Sequence, residues 1–130
     1  MTKKDYIKYW VDTANNDWEA ITVLIKGKKY IYALFFAHLV LEKLCKAHWV
    51  KDNKENHPPK IHNLVYLVEQ TKLELTEEDM EFLRRMNNFQ LEGRYPDYTR
   101  NLSISYREKN TTGILKQVNI LRLCLLKKLQ

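Results

Sequence analysis

Glycine and proline are scarce, three of each in 130 residues. That excludes collagen-like and low-complexity chains and leaves room for long uninterrupted helices. Cysteine is scarce too. Cys45 and Cys124 lie on apolar helical faces without paired spacing, which reads as two buried thiols rather than a disulfide framework or a zinc motif. No apolar run approaches the ~20 residues of a membrane span. The longest, Tyr30 to Leu41, contains His38. Met1-Thr2-Lys3-Lys4-Asp5 leads straight into an amphipathic pattern without the apolar core of a signal peptide, so the sequence reads as cytoplasmic, with no membrane partner. Glycine-rich phosphate loops, a GxSxG elbow, and C-x-x-C or H-x-x-x-H spacings are all missing. Neither a metal nor a cofactor is expected.

What is present is apolar and helical. Residues 1–130 fit one domain, and 45% apolar residues suffice for a sizeable core. Formal charge is +6, unevenly spread. Residues 1–60 carry eleven Lys/Arg against seven Asp/Glu, residues 61–100 five against eight, and residues 101–130 six against one. Basic ends around an acidic middle suit an RNA or nucleotide partner, and equally an ordinary lysine-rich surface.

Five helices are predicted from spacing. Asp5 to Lys26 carries a stripe of Tyr6, Tyr9, Trp10, Thr13, Ala14, Ala20, Ile21 and Leu24, and Gly27 ends it as a C′ glycine. Tyr30 to Val50 is apolar nearly all round and must be the central helix. A polar loop closed by Pro58-Pro59 precedes a short helix from His62 or Asn63 to Thr71. Thr76, followed by three acidic residues, caps a fourth helix to about Glu92, closed by Gly93. Residues 94–111 lack helical periodicity and read as an ordered loop. Thr111 or Thr112 then caps a last helix through Leu129. The expected fold is all-α, a five-helix antiparallel up-and-down bundle with that loop before the last helix.

Two carboxylates break the apolar pattern. Asp17 falls four residues after Thr13 and four before Ile21, inside the first stripe. Glu42 lies four after His38 on the central helix. An isolated buried charge costs several kcal/mol, so each needs a partner, whether a structural ion pair or a polar cleft between the first two helices. Arg94-Tyr95-Pro96-Asp97 is the third feature. An arginine on a proline-stiffened turn offers a planar fork that fits a carboxylate or a phosphate, and Tyr95 and Tyr98 offer flat surfaces for a base. Arg94 is therefore expected within hydrogen-bonding reach of Asp17 or Glu42.

The ordered set of these residues resembles a known family. It comprises Tyr9-Trp10, Ala14, Asp17-Trp18 and Ala20 in the first helix, then Tyr30, Tyr32-Ala33 and Phe35-Phe36 opening the second. Leu41-Glu42-Lys43, Lys46-Ala47, then Pro59, His62 and Leu64, and finally Arg94 to Asp97, complete it. Over roughly residues 3–128 the chain resembles the HEPN domain (higher eukaryotes and prokaryotes nucleotide-binding). The resemblance implies a five-helix bundle, commonly a homodimer, that binds nucleotides or works beside a minimal nucleotidyltransferase protein in a toxin–antitoxin pair. Many HEPN toxins are metal-independent RNases using an arginine followed a few residues later by a histidine. Here the last histidine is His62, and every arginine follows it. Catalytic residues are therefore not expected, and a ligand-binding set of Arg94, Tyr95, Asp97, Asp17, Glu42, Lys46 and His62 is. A protein-interaction subunit without ligand, and an RNase with a rearranged site, are the alternatives.

Overall fold

The computed structural model describes all 130 residues, and every regular element in it is helical. There are six α-helices, not five: α1 Lys3–Lys26, α2 Tyr30–Asp52, α3 Leu64–Glu69, α4 Glu77–Met86, α5 Pro96–Ser105 and α6 Glu108–Lys128. A 3₁₀ turn, Asn87–Phe89, follows α4. No helix is long and apolar enough to cross a membrane.

α1 begins earlier than its apolar stripe suggests because Thr2 and Asp5 close a reciprocal cap, with the Asp5 amide on the Thr2 hydroxyl and the Thr2 amide on the Asp5 carboxylate. Its end differs as well. Gly27 has an ordinary backbone, and Lys28 takes the left-handed conformation, with φ +60°. α2 is enclosed as its composition requires: Leu34, Leu41, Leu44, Cys45 and Val50 have no exposed surface. Burial pushes the Cys45 thiol up to about 12, so this thiol is inert. Cys124 is half-buried and also free.

Lys3 Nζ donates to the carbonyls of Val50 and Asn53, each at 2.7 Å. The start of α1 therefore meets the end of α2, and the two form an antiparallel hairpin. α6 departs from the antiparallel expectation. It starts with Glu108 beside Tyr30 and reaches His48, whose Nε2 donates to the Leu125 carbonyl at 2.8 Å. It thus runs in the same direction as α2 and opposite to α1.

α5 makes that path available. The sequence reads 94–111 as a loop, yet residues 96–105 are helical. Pro96 does hold Tyr95 extended (φ −72°, ψ 154°), but at the first helical position a proline starts a helix rather than blocking one. α5 buries no residue fully and packs through Leu102, which is why its periodicity is weak. It carries the chain from the turn after α4 back to the beginning of α2. α4 also stops at Met86, short of Glu92, and its buried residues are Phe82, Leu83 and Met86, with Phe89 following in the 3₁₀ turn. α6 starts at Glu108, so Thr111 is a buried residue inside the helix rather than its cap.

Candidate functional site

The four-residue repeat of His38, Glu42 and Lys46 puts all three on one face of α2, beneath the segment that leads into α3. Glu42, 4% exposed, is the hub. Its Oε2 accepts from Lys46 Nζ at 3.0 Å and its Oε1 from His62 Nδ1 at 2.9 Å. Lys46 also sits over the Trp10 ring, 5.5 Å from its centroid, so α1 covers this charge with an aromatic face. His38 Nε2 meets the His62 carbonyl at 3.0 Å. A carbonyl only accepts, so this nitrogen carries the proton and Nδ1, 3.8 Å from Glu42 Oε1, is the bare one.

His62 is the outward member. Its side chain is 42% exposed, and its Nε2 lies 3.5 Å from a Glu92 carboxylate oxygen. The imidazole is thus oriented from inside by a buried carboxylate and presents its other nitrogen at the surface. Such a group can exchange a proton or hydrogen-bond an anion.

Glu92 belongs to a turn folded tightly on itself. Asn87 anchors its start, accepting from the Leu64 amide at 2.9 Å and donating to Asn63 Oδ1 at 3.2 Å. Gln90, 8% exposed, accepts twice: from the Glu92 amide on Oε1 at 2.7 Å and from Arg94 Nε on its carbonyl at 3.3 Å. Its Nε2 has no partner. Gly93 takes φ +78°, a conformation that favours glycine, and this turns Arg94 back over the segment. The guanidinium rests 4.4 Å from the Tyr98 ring centroid, and Tyr98 Oη donates to the Asn88 carbonyl. Arg94 is exposed and makes no ion pair, so most of its donor fork is free.

The expected pairing of Arg94 with Asp17 or Glu42 is therefore overturned. Lysines of α2 reach both carboxylates first: Lys43 Nζ stands 2.6 Å from Asp17 Oδ2, and Lys46 takes Glu42. Of the seven residues singled out in the sequence, Glu42, Lys46 and His62 meet, and Arg94 stands two residues from Glu92, which reaches His62 alone of the three. Tyr95, 84% exposed, caps α5, and Asp97 lies exposed in its first turn. Asp17 forms its own pair between α1 and α2. Sequence reasoning missed His38, Gln90 and Glu92. The spacing of His38 to Glu42 was a signal for the first. Nothing in the sequence marks Gln90.

Two buried imidazoles set the acid response. Burial holds His38 and His48 below the ordinary imidazole value, against the opposing pull of Glu42 on the first and of the Leu125 carbonyl on the second. The unfolded chain takes up these protons as pH falls through ~6.5, and the folded protein does so only lower. Stability is then expected to decline below pH ~6.5, by up to ~1.4 kcal/mol per pH unit for each histidine. Urea midpoints measured from pH ~7 to ~5.5 should fall in the wild type and fall less in a His38→Gln, His48→Gln double variant. Equal slopes would contradict the assignment.

Residues 7–128 match the family model of the HEPN domain. No curated protein and no solved structure gave a match.

Proposed function

The chain belongs to the HEPN domain family, and from that premise we propose that it binds a nucleotide or another phosphate-bearing ligand where His62 faces the 87–98 turn. The observation that carries this reading is a surplus of donors in one short turn. Gln90 Nε2 is a buried amide without an acceptor, and an unsatisfied buried donor costs ~1–3 kcal/mol unless something fills it. Four residues on, Arg94 spends only its Nε. A phosphate supplies the acceptor oxygens both groups lack.

Glu92 fits the same reading. Its carboxylate, 68% exposed, stands at the outer nitrogen of His62, where a ligand phosphate would compete for the same contact. Tyr95 and Tyr98 flank Arg94 and offer faces for a base. The wider proposal is that the domain acts as a homodimer beside a minimal nucleotidyltransferase, in a toxin–antitoxin-like pair.

A melting-temperature screen with nucleoside mono-, di- and triphosphates tests this. A ligand at a hundred times its dissociation constant adds ~2.7 kcal/mol to the folded state, a shift of several degrees for a domain this size. The shift should be present in the wild type and absent in Arg94→Ala and His62→Ala. Stabilisation unchanged in both variants would contradict the site. Histidine does the proton transfer in most acid–base chemistry near neutral pH, and His62 is oriented by Glu42. An RNase is therefore the second reading. Cleavage of single-stranded RNA in chelator, abolished by both substitutions, would put it first.

A further inference from the structure

A second basic and aromatic surface lies elsewhere. The α1–α2 turn and the end of α5 enclose a cleft of about 470 Å³, within the size range of ligand sites. Four cations line it: Lys28 and Lys29 from the turn, Arg100 from α5, and Arg107 just before α6. No carboxylate lines it. Glu108 stands beside Tyr30, and burial together with this carboxylate pushes the Tyr30 phenol up. None of the four cations has an acidic partner. Cations brought together from three segments repel one another, at a cost that a bound anion removes.

Apart from Ser103, the remaining lining is aromatic and apolar. Tyr30, Tyr32 and Tyr106 contribute, with Tyr32 47% and Ile104 58% exposed at the rim. Tyr106 is fixed edge-on against Phe89, centroids 4.9 Å apart, so this wall is rigid. The first turn of α2 opens beside the cleft, with no side-chain cap and no acidic residue. Its amides add to the positive potential. Along α2, Ile31 and Glu42 are eleven residues apart, roughly 16 Å of helix axis, so this cleft lies well away from the Glu42–His62 pair, with α5 running between the two places.

We propose that the cleft is a second site, taking a run of phosphate groups on Lys28, Lys29, Arg100 and Arg107, with a flat or apolar group against Tyr32 and Ile104. The shared chemistry is a phosphate chain attached to a base. Its source is a free nucleoside triphosphate or the backbone of a single-stranded nucleic acid. The proposal is independent of the His62 site.

Sodium tripolyphosphate, ATP and a short single-stranded RNA, each titrated by calorimetry at low and at moderate salt, test it. Wild type should bind at least one probe, more weakly as salt rises. A Lys29→Gln, Arg100→Gln double variant should bind about tenfold or more weakly. Both side chains are exposed, so the fold should survive, which an unchanged melting temperature verifies. The same charge removed at the far end of α1, in Lys4→Gln, Lys54→Gln, should leave binding intact. Preference for ATP identifies a free nucleotide and preference for the RNA identifies a strand, either with the proposed chemistry. Failure of all three probes overturns the proposal, and so does equal loss in the two double variants. Loss in Arg94→Ala with full binding in Lys29→Gln, Arg100→Gln overturns this cleft and leaves the His62 edge standing.

Discussion

Glu42→Ala is expected to cost ~3–5 kcal/mol of folding stability, because removing one partner strands the charges it balanced. Lys46, 7% exposed, would lose its only carboxylate, and His62 its anchor. Glu42→Gln keeps the shape and one acceptor and should cost less. Urea unfolding distinguishes them through midpoints at constant slope. A loss below ~1 kcal/mol for alanine would mean that water already screens the network, as it does for surface pairs. The exposed pair Lys8–Asp12, 2.5 Å apart, makes the contrast: Asp12→Ala should change stability by no more than ~0.5 kcal/mol.

Leu44→Ala should be comparably severe, at ~2–5 kcal/mol, through lost apolar transfer and the cavity left behind. Leu44 is fully enclosed on α2, with α1, α3 and α6 all packed on that helix. Ile120 on α6, 70% exposed, is the control, and its truncation should stay within ~0.5 kcal/mol. Equal effects at the two positions would contradict the central placement of α2.

That placement was legible in the sequence, because a helix apolar on all sides has only one home in a bundle. The caps at Thr2 and Thr76 follow from short-range chemistry, though Thr2 lies outside the apolar stripe and so shifted the start of α1. α5 was not legible. It buries no residue fully and is held by partly buried Leu102, by Tyr98 on the Asn88 carbonyl and by Tyr106 just beyond its end, and its proline reads as a breaker unless its position at the first turn is known. Missing α5 also hid the parallel course of α6. At the site, Glu42 announced itself as a charge on an apolar helix. The partner did not, since Lys43, Lys46 and Arg94 carry the same sign and only the fold decides which arrives first. The basic cleft draws on residues 28–32 and 100–107, and that juxtaposition exists only once α5 has carried the chain back to the start of α2.

The turn around Arg94, facing His62, is where we propose that a phosphate-bearing ligand binds. Mapping amide shifts of the isotope-labelled protein during titration with a nucleoside triphosphate tests it most directly. Saturable shifts are expected at His62, Gln90, Glu92 and Arg94, including the Gln90 side-chain amide as its unpartnered Nε2 gains an acceptor. Saturable binding that leaves those four residues unmoved, or no binding by any nucleotide, would contradict it.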